Sequence, residues 1–384
     1  MIDQCTDERG VGEGRILFLS HKNLYEQEAW RGPYRELEAV LTEVDAVDVI
    51  APKQGKWYHQ RKRNAQRIGK YTPIGINPGA ERVSLEKDYS LFFTVCEKPS
   101  ELLDLHAIKD WRERSRMAIC WMAEFYEHNI PYNKSVMRTL AHFDFVLFTF
   151  ARTNAFKSLL GQRVTHLPYG VDTLKFSPYP QSPFRFIDVL SIGGRAGMTH
   201  QALLRMAKSD GILYIYDTLK DLAVHDVEEH RLQLSNLVKR SRYFIVNPGS
   251  IDEPEKIGGQ LEFGPRYFEG LAAGAILLGD KPRNNKEFDR ILNWPDAVIH
   301  VPYGSDNIRE VIRELDKDLI RQERIRIQNI AEALSKHDWA HRWESVLKLA
   351  GLQPLPKLLE RKQRLADLLQ LIRSDQLRSH VQVG

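Results

Sequence analysis

GGQLEFGPRYFEGLAAGAILLGD, residues 258–280, decides the fold. A glycine-rich loop runs into Pro265, a helix-forming stretch follows, and AILLGD (275–280) reads as a buried strand. Proline suits the first turn of a helix because its missing N–H would have had no helical partner. Such a start leaves free N–H groups and the positive end of the helix dipole facing out of the loop, an arrangement that suits a diphosphate. Arg266 and Glu269 are three apart and share one helix face. A carboxylate one turn in can accept two hydrogen bonds from the vicinal hydroxyls of a ribose. Gly270 and Gly274 leave room for close packing of helix on sheet. The same pattern fits an ordinary loop–helix–strand unit with a solvated glutamate equally well.

Working outward, the unit belongs to a longer alternating series. FIDVLSIGG (186–194), ILYIYD (212–217), RYFIVNPG (242–249) and AVIHVP (297–302) are apolar runs separated by helical stretches. An earlier series, RILFLS (15–20), VDVIA (47–51), SLFFTVC (90–96), RMAICWMA (116–123) and FVLFTF (145–150), has the same character. Continuous apolar strands between helices mean parallel sheets covered on both faces. The proline-rich VTHLPYGVDTLKFSPYPQSPF (164–184) interrupts the two series and reads as a linker. The chain is therefore expected to be α/β, with two Rossmann-like lobes facing across a cleft and C-terminal helices. The lobes are assigned to residues 1–178 and 179–350, with a basic amphipathic helical tail over 351–384. A ligand belongs in the cleft, at the carboxyl ends of the strands.

Composition excludes several other classes. With 42% hydrophobic and 28% charged residues among 384, the chain is an ordinary globular sequence and not a disordered one. Its 55 basic and 51 acidic residues leave +4, too mild for a dedicated nucleic-acid binder. Cys5, Cys96 and Cys120 are too few and too scattered for a disulfide framework, and no Cys/His spacing suits zinc. No run approaches the ~20 apolar residues of a membrane span. The opening MIDQCTDERGVGEGR lacks an apolar core, so a cytoplasmic location is expected.

RYFEGLAAGAILLGD (266–280) resembles the donor-site helix of GT-B glycosyltransferases, in particular the retaining branch that includes the CgeB-like proteins and the group 1 family. LPYGVDTLKFSP (167–178) resembles the interdomain segment of the same enzymes, and SIGGR (191–195) their loop after the first strand of the second lobe. The three matches come in the family's order and span roughly residues 165 to 350. The resemblance implies a metal-independent hexosyltransferase that needs no cofactor. It would move a sugar, with retention, from a nucleotide-sugar to a hydroxyl of a glycan or lipid-linked acceptor. Gly193, Gly194, Gly264 and Arg266 would then meet the donor diphosphate and Glu269 the ribose. On their own residues' reading, Lys256 either adds positive charge there or is a solvated loop lysine, and Tyr216 either stacks on the base or, as the commoner case for a strand tyrosine, packs in the core. Arg195 would stabilise the leaving phosphate. The family's first glutamate falls on Leu261, with Glu262 one place late as the candidate sugar contact. Rival readings are an epimerase or hydrolase on the same fold, and a non-catalytic sugar-binding relative.

Two further features lie in the first half. Glu124 follows a strand and is a candidate for orienting the acceptor hydroxyl; an exposed loop acid is the alternative. KQGKWYHQRKRNAQRIGKY (53–71) holds seven basic residues, no acid, and Trp57 and Tyr58. It reads as a solvated loop, as a grip on an anionic acceptor or nucleic acid, or, preferred among the functional options, as a contact with an anionic membrane surface; the tail either joins that contact or packs across the back of the lobes. Nucleic acid is not an expected partner.

Overall fold

The computed structural model describes residues 14–218, 223–281 and 286–382, with side chains through residue 374. The amino-terminal stretch and Cys5 lie outside the described residues. In chain order the strands of the first lobe are β1 Ile16–Leu19, β2 Val47–Ile50, β3 Val83–Ser84, β4 Tyr89–Cys96, β5 Ile108–Lys109, β6 Ser115–Met122, β7 Phe145–Phe148 and β8 Val164–His166. Those of the second are β9 Ile187–Ser191, β10 Tyr214–Tyr216, β11 Ser241–Val246, β12 Ile276–Gly279 and β13 Ile299–His300.

The first lobe is a six-stranded parallel sheet in the order β2-β1-β4-β6-β7-β8, and the second a five-stranded parallel sheet in the order β10-β9-β11-β12-β13. β3 and β5 form a small parallel ladder of their own. Every residue of β4 and of β12 is buried, as expected of strands covered on both faces. In each sheet the order reverses after the first strand, between β1 and β4 and between β9 and β11. Those are the points where crossovers leave in opposite directions and open a crevice at the carboxyl ends.

The C-terminal helices tie the lobes together. Trp339–Ala350, counted with the second lobe on sequence grounds, lies on the first: Trp343 Nε1 donates to Asp45 (2.8 Å) and Trp339 Nε1 to Glu36 (2.9 Å). The tail forms the helix Pro356–Gln382, and its apolar stripe is packed: Leu358, Leu365 and Ile372 are buried. The tail's apolar face is therefore part of the core, the packing alternative to a membrane contact. Arg361, 3% exposed, grips Asp338 with two hydrogen bonds of 2.9 Å and Asp172 with one of 2.7 Å. Burial would raise the Asp338 carboxyl, but Arg361 more than offsets it and holds the group below the usual carboxylate range.

Removing one partner of a buried pair strands the other charge at a cost of about 3–5 kcal/mol. Arg361→Ala should lose that much in urea unfolding at neutral pH. A depressed carboxyl stabilises the fold above its unfolded pKa, and the contribution fades as pH falls toward the folded value. The variant's deficit should therefore shrink in acid; a pH-independent deficit would contradict the assignment.

Candidate active site

The crevices of the two sheets merge into one cleft of about 250 Å³. A larger hollow of about 350 Å³, lined by Arg185 and Arg242, sits at the amino ends of β9 and β11, on the opposite edge of the sheet.

The second-lobe wall is made of backbone and cations. After β9 the chain turns at Gly193, whose φ of +98° is a conformation side chains rarely adopt, and its N–H donates to Asp217 (2.6 Å). Gly193 and Gly194 both line the cleft. Gly264 caps the helix Pro265–Ala272 without a side-chain cap from the described residues, so the helix start faces the cleft open. Gly270 packs as expected: an added Cβ would come within 2.3 Å of the Leu277 side chain. Arg266 lines the cleft. Arg195 follows the Gly193–Gly194 turn, its guanidinium carbon 5.2 Å from the Tyr216 ring centre. Tyr216 itself packs against Tyr214 and His200, both at 4.8 Å, an aromatic cluster that is not part of the cleft lining. Lys256 bonds Ser250 and Glu253, each at 3.0 Å, and its charge offsets part of the burial that raises the Glu124 carboxyl.

Two of the expected carboxylates are engaged elsewhere. Glu269 does not face the cleft. It is completely buried, with one oxygen on Arg231 and the other on Arg266 (2.6 Å). Burial alone would raise its carboxyl, but the two guanidinium groups outweigh that and hold it below the ordinary range. Glu262, 4% exposed, accepts the backbone N–H groups of Ala151 and Arg152 at 3.2 Å each and a hydrogen bond from Gln260 (2.9 Å). It ties the glycine loop of the second lobe to the chain after β7 and does not line the cleft. These positions correct the expected ribose and sugar contacts.

The first-lobe wall is acidic and phenolic. Glu124 lines the cleft as expected, half-buried, with burial pushing its carboxyl up. Sequence reading missed its neighbour Glu97, which also lines the cleft and is raised well above the carboxylate range, first by burial and then by Glu101. The available signal was its place directly after the apolar run ending at Cys96, the same strand-end logic that singled out Glu124. Tyr34 and Tyr169, 2.9 Å apart at their hydroxyls, complete this wall beside Trp30 and Pro33.

Glu269→Ala should leave Arg231 with Glu36 as its remaining carboxylate and Arg266 without Glu269, and cost about 3 kcal/mol in urea unfolding. An unchanged unfolding midpoint would return Glu269 to the cleft as a ligand contact.

Residues 222–348 match the family described as glycosyl transferase-like. No curated protein matches the chain. Among solved structures, an alpha-glucosyltransferase in complex with UDP and a 13-mer DNA containing a HMU base superposes with a TM-score of 0.51. The match has 11% identity and covers 88% of this chain and 100% of that one. A second complex of alpha-glucosyltransferase with UDP and such a DNA gives a TM-score of 0.52 at 11% identity, over 88% and 98% of the two chains. Two parallel sheets meeting at an interlobe cleft give this chain the GT-B fold of these structures, and the open helix start lies within the segment that matches the glycosyl transferase-like family.

Proposed function

We propose that the protein transfers a sugar from a nucleotide-sugar, a UDP-sugar in the first instance, to a hydroxyl of a glycan or lipid-linked acceptor. The reaction proceeds with retention and without a metal. The observation that carries this reading is the opposition of the two walls: an uncapped helix start and Arg266 on one side, hydroxyl-binding groups on the other. UDP is chosen because the similar alpha-glucosyltransferase structures contain it.

In the reaction the bond from the sugar's anomeric carbon to the diphosphate oxygen breaks and its electron pair stays on the diphosphate. Arg195, Arg266 and the N–H groups after Gly264 are the groups available to receive that charge. The acceptor oxygen forms the new bond to the anomeric carbon from the same face. Its proton passes to a phosphate oxygen of the departing nucleotide. The rival readings differ in products: a hydrolase needs donor alone, and a non-catalytic relative releases no nucleotide at all.

The acceptor is proposed to lie at an anionic membrane surface. Among the described residues no helix is long and apolar enough to cross a membrane, so the contact is peripheral. The basic stretch forms the helix Tyr58–Tyr71, and Trp57, Tyr71, Ile74 and Tyr132 are exposed beside it. Tyr58 is not available as an interfacial ring; it is 2% exposed and turned toward Asp104. Each basic side chain near an anionic surface adds about 1 kcal/mol of attraction.

A panel of UDP-, GDP-, ADP- and TDP-sugars should release nucleotide with one base only. Arg195→Ala should lower kcat by about 100-fold, the usual loss for one charge-stabilising donor, with unfolding unchanged. Wild-type activity in Arg195→Ala would remove that residue from the mechanism. Vesicles containing anionic lipid should sediment the protein at low salt and release it at high salt. Preferential capture by duplex DNA in place of the vesicles would contradict the membrane assignment.

A further inference from the structure

The hollow of about 350 Å³ at the amino ends of β9 and β11 is larger than the cleft and has no part in the transferase reading. Its size falls in the range of small-molecule sites, roughly 300–1,000 Å³. The end of the linker, the start of β11 and the helix Leu319–Lys336 build its walls. Arg185, Arg242 and Arg326 all line it, and their partners differ. Arg242 is matched twice, by Asp188 (2.8 Å) and by Asp316. Arg326 bonds the neutral Gln322 (2.8 Å) and stands 3.7 Å from Glu323, whose side chain is 62% exposed. An exposed pair of that kind contributes little. Arg185 gives two of its five donors to backbone carbonyls, those of Ser241 and Ala273, both at 2.8 Å. It pairs with no carboxylate among the described residues. Burial, and then the charge of Arg326, push the Arg185 guanidinium down to about 10, and burial lowers Arg326 as well. Two half-buried arginines thus share one recess with a single exposed carboxylate to answer them. At the rim, Phe184 is 84% exposed and Leu319 69%. Large apolar side chains left in water around a recess mark a binding surface.

We propose that this hollow is a second anion site, separate from the cleft, and that it takes a small molecule in which a phosphate or carboxylate is joined to a ring. Either anion accepts paired N–H groups from a guanidinium and supplies the negative charge that Arg185 and Arg326 lack. The ring stacks on Phe184 and covers the apolar rim, which a bare inorganic ion cannot do. Arg185 also caps the carbonyl end of the helix Pro265–Ala272, whose amino end opens on the cleft. The two sites therefore lie at opposite ends of one helix and can be filled together. The inference stands apart from the transferase reading.

The test uses the full chain and saturation-transfer NMR with phenyl phosphate, with and without saturating UDP. Phenyl phosphate should bind equally in both, roughly tenfold more tightly than inorganic phosphate or benzyl alcohol. Adenosine monophosphate and benzoate, run with UDP present, tell a nucleotide from an aromatic carboxylate as the source of the anion. Arg326→Gln should weaken phenyl phosphate by roughly tenfold, and Phe184→Ala by about fivefold. Arg326→Lys, which keeps the charge without the planar fork, should lose less. The melting temperature and UDP affinity should stay at wild-type values in Phe184→Ala, whose side chain supports no core. Loss of the phenyl phosphate signal on adding UDP would place the probe in the cleft and overturn the proposal. So would the absence of any signal, or an affinity that neither Arg326→Gln nor Phe184→Ala moves. A dimer in sedimentation that Phe184→Ala dissociates would assign the rim to a second copy of the chain, and would overturn it too.

Discussion

The Glu36 carboxylate holds the molecule together. It sits in the first-lobe helix Gly32–Val44, 2% exposed, and touches three other parts of the chain. One oxygen accepts the Asp172 N–H of the linker (2.7 Å) and the Trp339 indole of the returning helix (2.9 Å). The other accepts Arg231 of the second lobe (2.7 Å). Arg231 continues to Glu269, and Glu269 to Arg266 at the cleft. Burying so many charges gives little net stability, but removing any one leaves its partner uncompensated. Such a chain fixes where the lobes stand relative to each other, and that in turn fixes the cleft.

A second tie works at the other end of the cleft. Glu262 reaches from the glycine loop to the backbone of residues 151 and 152, and Gln260 reinforces it with a bond to the Arg152 carbonyl (3.1 Å). The loop that precedes the open helix start is thereby positioned from the first lobe. Glu262, just before the helix Pro265–Ala272, and Glu269, within it, serve as ties between segments.

The fold was legible because its signals are local. The strands buried on both faces announced themselves as unbroken apolar runs, and Gly193 and Gly270 carried backbone and packing demands that only glycine meets. The site was legible where the signal was a strand end, as with Glu124, and illegible where a partner arrives from far away. Spacing put Arg266 and Glu269 on one face, which is right, but the Arg231 that turns Glu269 inward lies 38 residues upstream, and the Glu36 behind it a further 195. Glu262 meets backbone 110 residues away. The tail showed its amphipathic face without showing what covers it. Trp57 and Tyr58 read as a pair, yet Trp57 adopts φ of 65° at the helix start, which leaves one ring exposed and the other buried.

The order of signs in the buried chain matters for the chemistry. From Glu36 through Arg231 and Glu269 to Arg266 the charges alternate, and the sequence ends on a cation at the cleft. Arg266 is partly neutralised by Glu269, so its guanidinium is oriented by a fixed partner and need not be ordered by a ligand. Under the proposed function, an incoming diphosphate would be the next negative member of the alternation, met by a donor already in place and by the N–H groups of the same helix. The cleft thus depends on the interlobe ties: moving either lobe would separate the open helix start and Arg266 from the wall of Glu97, Glu124, Tyr34 and Tyr169.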